Sequence, residues 1–188
     1  MADLFVSDDL EDDQPANIPL AERLRPKHLK QVVGQDHLVG PEGSLARMID
    51  AGKLSSIVFW GPPGTGKTTL ARLLANETEL HFTAISAVFS GVADLKKVFA
   101  EAELRQKTGK STLLFVDEIH RFNRSQQDSF LPYVEKGTVI LVGATTENPS
   151  FELNAALLSR AQVLILNRLD GPALSSLLDK AEALEGNI

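Results

Sequence analysis

Cysteine is absent from this 188-residue chain, which excludes disulfides and thiolate-ligated zinc. Long apolar runs are missing too: nothing approaches the roughly 18 to 20 uninterrupted apolar residues of a membrane helix. The opening segment, MADLFVSDDLEDD, has neither the basic start nor the apolar stretch of a secretory signal. A cytoplasmic location without membrane attachment is the expectation. The chain also lacks the basic excess that nucleic-acid-binding domains usually carry, its formal net charge being −6. Contact with DNA would therefore fall to local clusters. What remains is ordinary for a globular protein: 43% hydrophobic and 23% charged residues, in a length suited to one α/β domain with a sizeable core.

The negative charge is concentrated at one end. Asp3, Asp8, Asp9, Glu11, Asp12 and Asp13 lie within residues 1–17, which contain no Lys or Arg. Setting these six aside leaves 19 acidic residues against 19 basic ones, so the rest is formally neutral. Residues 1–17 read as a disordered acidic tail, too polar to bury itself. Its apolar patch, Leu4-Phe5-Val6, admits two readings: a short peptide that seats on a partner such as a sliding clamp, or part of a solvated tail.

From residue 18 onward strand and helix patterns alternate. Ser56–Trp60 (SIVFW) is a short apolar run halted by a Gly-Pro-Pro-Gly turn, the mark of a buried strand. Helical spacing follows over Lys67–Glu77, then a strand over His81–Ile85. An amphipathic helix over Val92–Lys107 places Val92, Leu95, Val98, Phe99 and Ala102 on one stripe. Thr112–Val116, Thr138–Val142 and Val163–Leu166 are further strands, with a helix near Gln126–Glu135. Strands separated by helices imply right-handed crossovers and a parallel sheet covered on both faces. A three-layer α/β/α fold with a five-stranded parallel sheet is expected, its core over residues 18–168. Residues 169–188 carry a new helical pattern that stops with the chain.

Two segments carry chemistry. Gly61-Pro62-Pro63-Gly64-Thr65-Gly66-Lys67-Thr68 matches G-x-x-x-x-G-K-[ST]. Glycines let the backbone curl around phosphate oxygens so that successive N–H groups form an anion nest, and the helix that follows, opening at Lys67, Thr68 and Thr69, presents the positive end of its dipole. Lys67 is placed to reach the β- and γ-phosphates, and the Thr68 hydroxyl to ligate Mg²⁺. The second segment, Leu113-Leu114-Phe115-Val116-Asp117-Glu118, is an apolar strand ending in paired carboxylates. At the carboxyl edge of a parallel sheet, next to the first strand's loop, this puts charge in the ligand crevice. Asp117 is assigned to Mg²⁺ and Glu118 to activation of the attacking water, a division that suits phosphoryl transfer. ATP with Mg²⁺ is the expected ligand.

His28, His37, His81 and His120 show no paired ligand spacing, so a metal site beyond Mg²⁺ is not expected. His120-Arg121-Phe122-Asn123-Arg124 admits two readings: phosphate contacts and base stacking that couple DNA to ATP, or a loop that holds the sheet edge. Trp60 reads as core packing.

GPPGTGKTTLA, LLFVDEIHRFNRSQQDSFLPYVEKG and GATTENPSFELNAALLSRA together resemble the replication-associated recombination protein A family, AAA+ ATPases of the clamp-loader clade whose eukaryotic relative is the Werner helicase-interacting protein. The resemblance covers about residues 18–168. It implies a DNA-dependent ATPase that maintains replication forks and serves recombination and repair. It also implies assembly into homo-oligomers with ATP at subunit interfaces, a nucleoid-associated location, and as partners single-strand-binding protein and DNA ends, forks or single-strand/double-strand junctions. By the same resemblance Leu24, Pro26 and Val33, within Pro19–Gln35, contact the adenine, and Thr146 is the sensor that orients the lytic water, with Thr145 its near rival. Arg160 corresponds to the arginine finger lent to a neighbour's ATP; without the resemblance it would be an ordinary surface arginine. Ser86 restrains Glu118 in the absence of DNA. Family members continue into a full helical lid with a second sensor and an oligomerisation region, whereas this chain ends within the first lid helix. Alone it is expected to bind nucleotide weakly and turn it over slowly. The competing readings are a clamp-loader subunit, a branch-migration motor, and a nucleotide-gated scaffold that does not hydrolyse ATP.

Overall fold

In the computed structural model, residues 19–186 are described; the acidic tail and its Leu4-Phe5-Val6 patch lie outside them. Short N-terminal helices α1 (Leu20–Arg23), α2 (Asp36–Val39) and α3 (Ser44–Asp50) precede strand β1 (Ser56–Trp60). Then follow α4 (Lys67–Glu77), β2 (His81–Ser86), α5 (Val92–Lys107), β3 (Thr112–Asp117), α6 (Arg124–Asp128), α7 (Leu131–Glu135) and β4 (Val139–Thr145). The chain continues through α8 (Pro149–Glu152), α9 (Ala155–Leu158), β5 (Ala161–Ile165) and α10 (Gly171–Glu185).

The five strands form one sheet in the order β2-β3-β4-β1-β5, with every pair parallel. Strand period 2 sends alternate side chains to opposite faces, and both faces are apolar. Ile57, Phe59, Leu113, Phe115, Val142 and Ala144 pack with Leu70, Leu73 and Leu74 of α4. Val58, Leu114, Val116, Val139 and Leu141 pack with Leu95, Val98, Phe99 and Ala102 of α5 and with Phe122 and Phe130. A sheet buried on both faces explains why these strands read as continuous hydrophobic runs. The fold is the expected three-layer α/β/α arrangement. Among the described residues no helix is long and apolar enough to cross a membrane.

The structure departs from the sequence reading in several details. The single helix anticipated near Gln126–Glu135 is two, α6 and α7, separated by Ser129 and Phe130. Pro132 lacks the N–H a continuous helix would need there. The break lets Phe130 sink wholly into the core, edge-on to Phe99 at 5.4 Å. Val92 does not join the buried stripe of α5; at the first turn it stays exposed. Trp60, at the end of β1, is only half-buried and belongs to neither core cluster.

Gly143 in β4 is a packing requirement. A Cβ there would lie 2.9 Å from Cδ1 of Ile119, and Ile119 is fully buried directly after Glu118. Gly143→Val is expected to lower stability by about 1–3 kcal/mol through overpacking, read as a fall in the denaturant midpoint with unchanged slope.

Candidate active site

The loop after β1 is built by two glycines. Gly64 and Gly66 have φ of +77° and +94°, left-handed values at which an L side chain is strained. Gly66 closes the loop onto α4, whose first residue is Lys67. The Lys67 ammonium is folded into the loop and donates to the carbonyls of Gly61 (2.7 Å) and Pro62 (2.8 Å). Burial lowers its pKa, while the facing charges of Glu118 and then Asp117 draw it back up. The lysine of one motif thus lies in the field of the carboxylates of the other.

The sheet order corrects one detail of the sequence reading. β3 is not next to β1; β4 stands between them. Trp60 pairs with Thr145 and the Gly61 amide donates to the Thr145 carbonyl at 3.2 Å, so the end of β4 separates the phosphate loop from the carboxylates. Thr146, half-buried, comes directly after β4 at this edge. Asp117 ends β3, and its carbonyl accepts from Ala87 N at 2.9 Å.

Glu118 turns the chain sharply, with φ +52°, an uncommon conformation for a residue bearing a side chain. A 3₁₀ turn, Ile119–Arg121, follows, anchored by buried Ile119. This brings His120 back toward the strand ends: its Nδ1 is 3.4 Å from Glu118 Oε2 and 2.9 Å from Thr145 Oγ1. Ser86 lies opposite Asp117 in the β2–β3 register, and no side-chain hydrogen bond joins it to Glu118 among the described residues.

A cavity of about 830 Å³ opens beside the loop. Leu24, Pro26 and Val33 line it from the N-terminal strap, and Gly64, Thr65, Gly66 and Thr69 from the phosphate loop. Its third wall comes from α10, through Leu177, Lys180, Ala183 and Leu184, residues that reading along the sequence did not assign to the site. Strap and helix are tied together. Arg23 pairs with Glu185 and donates to the Leu184 carbonyl at 3.1 Å. Gln35, fully buried, donates to Asn167 O at 2.8 Å and accepts from Asn167 N at 3.1 Å. The mainly apolar walls suit a flat base, and the open loop backbone suits phosphates.

A magnesium ion fits the donors present. Thr68 offers a hydroxyl and Asp117 a carboxylate, hard oxygens at facing loops. Among the described residues no group of three His, Asp or Glu side chains gathers. Mg²⁺ is typically held by one or two protein oxygens together with water and phosphate.

Phe122 overturns the stacking part of one expectation. It is 2% exposed and packs against Phe130 at 5.9 Å, so it is not available to a base; Arg121 and Arg124 of the same cluster are exposed. Arg160 is exposed and engaged within its own chain. It pairs with Glu135 at 2.5 Å and donates to the Ala156 carbonyl at 2.8 Å, on the β5 side, away from the loop after β1 that holds Lys67.

This geometry defines a P-loop nucleotide site on an α/β sheet. Residues 57–169 match the ATPase family associated with various cellular activities (AAA), and the chain belongs to that family. Within it, replication-associated recombination protein A of Coxiella burnetii is 55% identical over 168 residues, covering 89% of this chain and 38% of that protein. ATPase WRNIP1 of Dictyostelium discoideum is 46% identical, covering 86% and 18%. Among solved structures, the Thermotoga maritima RuvB Holliday junction branch migration motor superposes with a TM-score of 0.69 at 27% identity, covering 86% of this chain and 55% of that one. The chain thus spans well under half the length of these curated relatives.

Lys67→Met is expected to abolish the stabilisation that ATP gives the protein, about 3 kcal/mol at a hundredfold excess over Kd. Thermal unfolding with and without nucleotide measures it. An undiminished ATP-induced rise in Tm would refute the placement of phosphate against Lys67.

Proposed function

We propose that this chain binds Mg-ATP and hydrolyses it at the interface of a homo-oligomer, in a DNA-dependent ATPase of replication-fork maintenance, recombination and repair. The observation that carries the ATP part is the Lys67 ammonium, held by Gly61 and Pro62 within the field of Glu118 and Asp117. Residues 18–168 form the ATPase core and residues 169–188 the beginning of a lid. Leu24, Pro26 and Val33 receive the adenine. Gly61, Pro62, Pro63, Gly64, Thr65, Gly66 and Thr69 form the cradle for the phosphates, and Lys67 neutralises the β- and γ-phosphates. Thr68 and Asp117 would hold Mg²⁺, which would supply neutralisation of phosphate charge. Glu118 accepts a proton from water. The water oxygen bonds to the γ-phosphorus as the bond from that phosphorus to the β,γ-bridging oxygen breaks, and the electron pair leaves with ADP. Thr146 orients the water. Arg160, released from Glu135, reaches a neighbouring subunit's γ-phosphate.

The DNA part rests on the relatives. Identity of 55% with a replication-associated recombination protein, against 27% with a branch migration motor, favours action at forks, DNA ends or single-strand/double-strand junctions over branch migration. Exposed Arg121 and Arg124, just past the carboxylates, are the cations nearest to couple DNA phosphates to the site. Single-strand-binding protein and a sliding clamp are the protein partners of this reading, and the nucleoid its location.

Phosphate release by the full-length protein, with and without forked DNA, tests the proposal. Glu118→Gln is expected to slow turnover by about 10²- to 10⁴-fold while ATP still binds. Wild type no faster than Glu118→Gln under every DNA condition would make the protein a nucleotide-gated scaffold. Arg160→Ala is expected to lower turnover of the assembly by about 10³-fold or more with ATP affinity retained, and unchanged turnover would remove the finger role.

A further inference from the structure

We infer that His120 is a positioning residue that holds the Glu118 carboxylate for its work on water, through an ionic contact to Glu118 and a hydrogen bond to Thr145. The inference rests on the reading of Glu118 as the base. Neither the AAA motifs nor the spacing of histidines assigns His120 a role.

The chain of contacts admits a consistent assignment of protons. A carboxylate only accepts, so the 3.4 Å approach of His120 Nδ1 to Glu118 Oε2 calls for a hydrogen on Nδ1. That same nitrogen is 2.9 Å from Thr145 Oγ1, which must then accept as well. Thr145 Oγ1 also accepts from the Glu147 amide at 3.0 Å, which fills its two lone pairs. Its own hydrogen goes to the Glu147 carbonyl at 3.2 Å. In this assignment His120 is the Nδ1–H tautomer, its hydrogen bonded to Thr145 Oγ1 and lying within ionic-contact distance of Glu118.

The surroundings make this a rigid support. Thr145 is fully buried, its backbone fixed in β4 beside Trp60. The His120 side chain is 7% exposed, and its backbone is locked by the buried Ile119 packed onto Gly143. Glu118, by contrast, follows the end of a strand in a strained left-handed turn; apart from charge attraction to Lys67, His120 is the group that reaches its carboxylate. A base misplaced by even 1 Å loses much of its effect. The Thr145 hydroxyl is therefore consumed within the protein, whereas among the described residues the Thr146 hydroxyl has no hydrogen-bond partner.

Steady-state ATP turnover and equilibrium nucleotide binding by the full-length protein test the inference. His120→Ala is expected to lower kcat roughly 10- to 100-fold, less than Glu118→Gln does, with KM and nucleotide Kd unchanged. His120→Asn, whose amide nitrogen can occupy the Nδ1 position, is expected to restore most of kcat. His120→Gln, similar in size but reaching past that position, is expected not to. Added to Glu118→Gln, His120→Ala should cause no further loss, because it acts through Glu118. Wild-type kcat in His120→Ala, Asn no better than Gln, or an additive double variant would each overturn the inference while leaving the hydrolysis reading intact. Wild-type turnover by Glu118→Gln would overturn the base itself, and this inference with it.

Discussion

A lysine ammonium lodged among peptide carbonyls is the constraint around which the site is organised. Lys67 gives up much of its hydration, and burial alone would favour its neutral form. Two carbonyls of its own loop and two carboxylates from another strand offset that loss. Both compensations demand particular backbone geometry. The carbonyls converge only because Gly64 and Gly66 take left-handed conformations. The carboxylates face the lysine only because β4, ending in small residues and threonines, brings the carboxyl ends of β1 and β3 within electrostatic reach.

The same geometry creates a strong preference for anions. A nest of loop amides, a helix N-terminus and an ammonium converge at one opening, and the nearby acids are then best placed to hold a divalent cation and a water. Backbone strain falls on the residue that carries the reaction in this reading, one of two non-glycine residues with positive φ among the described residues, the other being Glu79. Glu118 adopts a turn that a glycine would take more readily, and the buried wedge of Ile119 against Gly143 holds it there. Strained backbone persists where surrounding packing over-determines it, and here the packing comes from the middle of the sheet.

The cavity beside the loop is assembled differently. Its three walls come from the strap near residues 21–33, the phosphate loop and α10. Gln35 and Asn167, and Arg23 and α10, tie the first wall to the last. An occupant of this cavity would touch both the N-terminal strap and α10. Arg160, by contrast, is held on its own chain's surface by Glu135.

Much of this was legible along the chain, because the decisive signals are local. β1, α4 and α5 begin and end where apolar periodicity and turn residues place them, and G-x-x-x-x-G-K-T specifies a backbone shape nearly independent of its surroundings. Asp117 and Glu118 could be placed at the sheet edge because an apolar strand must present its last residues there. Other features depend on contacts between residues far apart in sequence, and only the tertiary structure decided them. It set β4 between β1 and β3, drew Phe122 into the core instead of leaving it for a base, and split the 124–135 segment around Phe130. It closed the cavity with α10 and brought Glu118, His120 and Thr145 into contact. A motif records which atoms a loop can present, whereas strand order and side-chain packing decide which of them meet.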